Sequence, residues 1–159
     1  MVYINPIEIL ELQKEHVNSI DTNAIKKAKR KLFADIELSD DNTLNYKGIP
    51  LTKTDCESAI EKLEKSDNIV LCKYLAIDNQ TLNKCLVNGD LTFFTNYKHE
   101  NIYEQSYFVE FISPYFAPHF DKALVNSFRN KDVVTTRKIL GTQNLITNSD
   151  KHTAFKSTS

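Results

Sequence analysis

The chain has 159 residues, of which 41% are hydrophobic and 26% charged, and its formal net charge is −1. This is apolar material enough for one compact domain with a small extension, which excludes disorder throughout. The balanced charge removes the general Lys and Arg excess that nucleic-acid binding draws on, and no apolar run approaches the ~20 residues of a membrane span.

Asn5-Pro6-Ile7-Glu8 is a helix start: Asn5 caps, Pro6 suits the first helical position and Glu8 stands where a capping box wants it. The helix that follows carries Ile7, Leu10 and Val17 near one face, widened by Ile9 and Leu12. Asp21 caps a second helix with an apolar stripe of Ile25, Ala28, Leu32 and Ile36, flanked by cations. The two stripes predict antiparallel packing of Ile9, Leu10 and Leu12 on Ile25, Ala28 and Leu32. Residues 39–42 read as a loop. Weak alternation over 43–51 about Lys47-Gly48 suggests a short β-hairpin with Pro50 at an edge.

Thr54-Asp55-Cys56-Glu57 reads as a capping box opening a helix with Cys56, Ala59, Ile60 and Leu63 on one face. The apolar run 68–77 is read as helix. Asp78 caps another helix bearing Leu82, Cys85 and Leu86, ended by Asn88-Gly89. Residues 90–95 suit a short helical turn. The span 102–120 is dense in aromatic residues and holds Pro114 and Pro118, which predict one helix before Pro114 and another starting near it. Asp132 caps a last helix carrying Val133, Val134, Ile139 and Leu140, and Gly141 stops it. Leu82–Leu86 with Gly89-Asp90 loosely echoes Leu124–Phe128 with Lys131-Asp132. Residues 147–159 are polar and aperiodic, and read as a flexible tail or as the edge of a longer protein.

The fold expected is therefore mostly α: a small helical bundle with a hairpin insert and a C-terminal helical hairpin. Its parts are a module over 1–66, a helical extension over 67–146 packed on it through the aromatic belt, and the tail.

The three cysteines, Cys56, Cys72 and Cys85, match no zinc or redox spacing and read as buried free thiols in a reducing compartment. The N-terminus lacks the basic and apolar regions of a signal peptide, so a cytoplasmic protein is expected. His16, His99, His119 and His152 are scattered without ligand spacing, so no metal is expected. No cofactor is implied either. With glycine only at 48, 89 and 141, no phosphate-cradling loop can be built, and no nucleophile elbow is present.

Two regions stand out for function. Lys26, Lys27, Lys29, Arg30 and Lys31 give the second helix a basic face. It suits an acidic protein partner better than nucleic acid, because no aromatic residue is interleaved among the cations. Tyr103, Tyr107, His119 and Asp121 are candidates for lining a pocket, although aromatic residues at this density serve most often as core.

Pro6-Ile7-Glu8-Ile9-Leu10 and the basic helix Ala24-Ile25-Lys26-Lys27-Ala28-Lys29-Arg30-Lys31-Leu32 resemble the opening of a DnaJ-type J domain. The resemblance covers roughly residues 5–38. In that family an H-P-D tripeptide follows the basic helix and stimulates ATP hydrolysis by the partner chaperone. Here Glu37-Leu38-Ser39 stands in its place, so none of its roles carries over. The stretch between Leu10 and Ile25 is also longer than the family's. The resemblance implies a degenerate J-like module that does not accelerate ATP hydrolysis by a DnaK-type partner.

The function expected is a non-enzymatic protein-interaction module, for which the resemblance implies a degenerate J-like adaptor or co-chaperone-related protein. The alternatives are an enzyme or small-ligand binder using the 103–121 segment, and a weak nucleic-acid binder using the second helix.

Overall fold

A computed structural model of the chain describes residues 2–151, apart from the side chain of residue 66. The fold is mostly α with one two-stranded antiparallel hairpin. The described chain groups into two compact units: Ile4–Gln80 forms one, and residues 2–3 with 81–151 form the other. The sequence put a division after residue 66. It falls later because α4 (Ser66–Lys73) packs with elements that precede it.

The first unit opens with α1 (Pro6–Ile9). Asn5 caps it, its side chain accepting from the Ile7 amide at 3.0 Å. The helix expected to run to Val17 ends after one turn. Glu11 enters the left-handed region at φ 56°, and the Leu12 and Glu11 amides bond back to the Ile7 and Glu8 carbonyls. This is a Schellman ending, with glutamate where glycine is usual. Ile7 and Leu12, the two positions at which such an ending favours apolar residues, are both buried.

Helix α2 (Thr22–Leu38) starts at Asp21, whose carboxylate accepts from the Ala24 amide at 2.8 Å. Leu32 and Ile36 are buried, whereas Ile25 and Ala28 are only half-buried. Helix α1 packs chiefly on α3 (Lys53–Glu61) and α4, whereas the two stripes predicted α2 as its main neighbour. One turn is too short to present a long stripe to a seventeen-residue helix.

Strands β1 (Leu44–Tyr46) and β2 (Ile49–Leu51) pair with Tyr46 opposite Ile49 and Asn45 opposite Pro50. Lys47 and Gly48 both take positive φ, 49° and 84°, as a two-residue type I′ turn requires. In this register Pro50 lies in the pair that exchanges no hydrogen bonds, so its missing N–H costs the ladder nothing. Helix α3 is capped by Thr52, two residues before the expected Thr54. Thr52 and Asp55 exchange both bonds of a capping box at 3.2 and 2.9 Å. Asp55 supplies the returning carboxylate, so the box starts three residues before it. The predicted face of Cys56, Ala59, Ile60 and Leu63 is buried. Helix α4 runs on through a π-helical turn, Tyr74–Asp78.

A buried polar network ties the first unit together. Asn5 is fully buried and donates from Nδ2 to the Cys72 carbonyl at 2.9 Å. Its own amide donates to the Tyr46 hydroxyl at 3.2 Å, and that hydroxyl donates to Glu8 at 2.5 Å. Lys47 pairs with the other Glu8 oxygen at 3.0 Å. Burial, then the Glu8 carboxylate accepting its proton, push the Tyr46 phenol well above its ordinary value.

The second unit comprises α5 (Gln80–Asn88, from Thr81), α6 (Thr92–Thr95), α7 (Ser106–Arg129) and α8 (Val133–Leu140). Helix α7 is continuous through both prolines, where a break was expected. Glu110, Pro114 and Pro118 lie one turn apart on an exposed face, so the Glu110 and Pro114 carbonyls left without helical partners can face water. The opposite face buries Phe108, Ile112, Phe116 and Phe120. The Phe116 ring meets Phe93 at 5.8 Å and Phe94 at 5.7 Å, so α6 completes the aromatic core. Helices α7 and α8 form the expected C-terminal hairpin. Of the α8 stripe, Ile139 is buried but Val133 and Val134 stay exposed.

Residues 147–151, read from the sequence as the start of a tail, include a helical turn held to α7. Ser113, buried on α7, donates to Asp150 at 2.5 Å and accepts from the Thr147 amide at 2.9 Å. The remainder of that segment lies outside the described residues.

Candidate functional site

The basic face of α2 is built by helical spacing alone. Lys26, Lys27, Arg30 and Lys31 are exposed, and Lys29 is half-buried. Lys31 pairs with Glu11 at 3.5 Å across open surface. Among the described residues, no carboxylate lies within ion-pair distance of Lys26, Lys27, Lys29 or Arg30. Lys29 sits over the Phe33 ring at 5.3 Å and Lys53 lies 4.9 Å from the same ring centre, both within cation–π range.

A groove of about 410 Å³ runs beside this face. Its floor is Ile20, Ile25, Ile60, Leu63 and Ile69, which is why Ile25 is left half-covered. Lys26 and Lys29 stand on the α2 side with the cap residue Asp21, and Glu61 and Glu64 on the side of α3 and the 3-10 turn after it, Lys62–Glu64. The arrangement is an apolar channel with an acidic edge on one side and, on the other, an edge that is basic beyond Asp21. The basic edge was legible in the sequence. The acidic edge was not, because only folding brings α3 alongside α2.

The four pocket candidates do not form one constellation. Tyr103 is buried in the aromatic core, stacked on Phe108 at 5.8 Å and Tyr97 at 5.9 Å. Tyr107 is 55% exposed at the start of α7. His119 and Asp121 lie more than three turns further on, about 18 Å along the axis at 1.5 Å per residue. His119 is pinned on α5: its Nε2 lies 3.1 Å from the Leu86 carbonyl, and a Cβ added to Gly89 would come within 2.8 Å of its Nδ1. Gly89 also needs its φ of 77° to end α5. Lys131, its counterpart in the loose repeat, adopts the same left-handed region at φ 56°. Burial lowers the His119 pKa, partly offset by the Leu86 carbonyl. Asp121 is half-buried, and its Oδ1 has no hydrogen-bond partner among the described residues.

The other histidines serve local structure. His16 accepts from the Asn18 amide at 3.2 Å, and His99 lies 3.7 Å from Glu104. His152 lies outside the described residues. Among the described residues no group of three potential ligands could hold a metal ion, and no helix is long and apolar enough to cross a membrane. The three thiols are buried and none is joined in a disulfide among the described residues, and burial pushes Cys56 to about 11 and Cys85 to about 12.

In comparison with known proteins, no family model, no curated protein and no solved structure matches the chain.

Proposed function

We propose that this protein is a non-enzymatic interaction module that docks an acidic, amphipathic protein segment along α2. The observation that supports this reading is a set of cations beside an apolar channel, with no carboxylate within ion-pair distance of them among the described residues. Lys26 and Lys29 edge the channel, with Lys27 and Arg30 on the same helix. A segment with apolar residues at helical spacing would cover Ile25, Ile60 and Ile69. Acidic residues along one flank would meet Lys26 and Lys29 and avoid Glu61 and Glu64, so charge sets the orientation as well as the encounter rate.

A finer form of the proposal is a degenerate J-like adaptor that presents the basic helix to its partner. It rests on the resemblance of residues 24–32, and it carries no acceleration of ATP hydrolysis by a DnaK-type chaperone. Three buried thiols suit a reducing compartment such as the cytoplasm.

The test is titration with a labelled synthetic peptide bearing leucines at helical spacing and glutamates along one flank. Changing Lys26, Lys27 and Arg30 to Glu together should weaken binding by at least about tenfold at low salt and flatten its salt dependence. Melting temperature should stay close to wild type, because exposed charges contribute only about 0–1 kcal/mol per pair. Equal binding by the triple variant at low salt would remove α2 from the interface.

A further inference from the structure

The α7–α8 corner carries a second surface, in the other unit. Helix α7 ends as α1 does, with a non-glycine residue in the left-handed region. Lys131 stands at φ 56°, and the Asp132 and Lys131 amides bond back to the Ser127 and Phe128 carbonyls. Asp132 then caps α8, accepting from the Thr135 amide at 3.1 Å and its hydroxyl at 2.6 Å. One short turn thus closes one helix and starts the next, leaving Phe128, Val133 and Val134 outside at 74%, 59% and 65% exposure.

Beside Phe128 and Val133 lies a cleft of about 300 Å³ lined by Ser127, Phe128, Lys131, Val133, Thr136 and Arg137. Its two hydroxyls are already engaged. Ser127 and Thr136 bond each other at 2.8 Å, and lie 3.0 and 2.8 Å from the Leu124 and Asp132 carbonyls. The floor therefore asks for an apolar group, not a hydrogen-bonding one. Lys131 and Arg137 rim the cleft, with Arg129 and Lys138 nearby in the sequence. Among the described residues none of these four has a carboxylate within ion-pair distance. The nearby Asp132 carboxylate is turned to Thr135.

We propose that this corner docks an acidic protein segment, which inserts one apolar side chain beside Phe128 and sets its carboxylates on Lys131 and Arg137. The rim charge argues against a second copy, since a symmetric contact would bring like charges together. The cleft is small and shallow, with room for one inserted side chain. The site lies in a different unit from the α2 channel and does not depend on it.

The probe is a short labelled peptide with a leucine–phenylalanine pair flanked by glutamates. Binding should be saturable and salt-sensitive, and absent for the lysine-flanked counterpart. Phe128→Ser and Arg137→Glu should each weaken it by at least about tenfold, with melting temperatures near wild type because both side chains lie at the surface. The triple reversal on α2 should leave this binding in place, so that failure of one surface is distinguishable from failure of the other. Binding unaffected by Phe128→Ser and Arg137→Glu would overturn the proposal. So would self-association in sedimentation that Phe128→Ser abolishes, or capture by phosphatidylserine vesicles in the absence of peptide binding.

Discussion

The two units bury comparable helices by different means. In Ile4–Gln80 a largely aliphatic core encloses a polar centre: Asn5 and Tyr46 are both buried, and their bonds join α1, the hairpin, Glu8 and the Cys72 carbonyl. In the unit that follows, the centre is aromatic, with Phe116 between Phe93 and Phe94 and the Tyr103 ring stacked on Phe108. A polar centre depends on direction, so removing a single atom can leave a partner unsatisfied. An aromatic centre depends on volume, so it tolerates changed chemistry but not lost bulk.

That contrast can be broken in four places. Phe116→Ala should cost most, about 3–5 kcal/mol, because the ring is fully buried among other rings. Urea unfolding is the measurement, and a loss below about 1 kcal/mol would mean that the cluster collapses into the space. Asn5→Ala should cost about 2–4 kcal/mol by removing both a helix cap and a buried donor. If the loss is no greater than that of an exposed cap, the network is not cooperative. Tyr46→Phe, which keeps the ring and deletes one oxygen, should cost about 1–2 kcal/mol. A neutral result there would place the polar centre on the same footing as the aromatic one.

The smallest effect should come from His119, the polar exception at the edge of the aromatic unit. Its folded pKa lies below its ordinary 6.5. The folded state therefore binds fewer protons than the unfolded state between the two values. Its contribution is full above pH 6.5 and is lost as pH falls from there through the lowered value. Melting temperature followed from pH 8 to pH 5 should drop more steeply for wild type than for His119→Gln. Parallel curves would mean that the imidazole is not held neutral.

The elements with strong local signals were legible. Asn5, Asp21 and Asp132 each cap the helix expected of them, and the hairpin turns at Lys47-Gly48. What was not legible depended on tertiary structure. Glu11 and Lys131 adopt a conformation that neither residue advertises, and both end helices there. Pro114 and Pro118 read as breaks because their exposed, one-turn spacing matters only once the opposite face has a core to pack on. Of the candidate sites, the basic face of α2 follows from sequence spacing alone. The acidic edge opposite it, at Glu61 and Glu64, comes from the end of α3 and the turn after it, about 35 residues away, and nothing local marks the pair. The α7–α8 cleft was hidden for the opposite reason. Val133 and Val134 read as core, and only the tight corner turns them outward.

The placement of the cysteines has a practical consequence. Cys56 and Cys72 belong to the first unit and Cys85 to the second, and all three are buried. Raised pKa values keep Cys56 and Cys85 as unreactive thiols until the structure around them opens. A thiol reagent under native conditions therefore acts as a clock, its modification rate at each cysteine set by how often that region opens. Read by mass spectrometry, the order of modification reports which half of the molecule comes apart first, with no label or tryptophan engineered in.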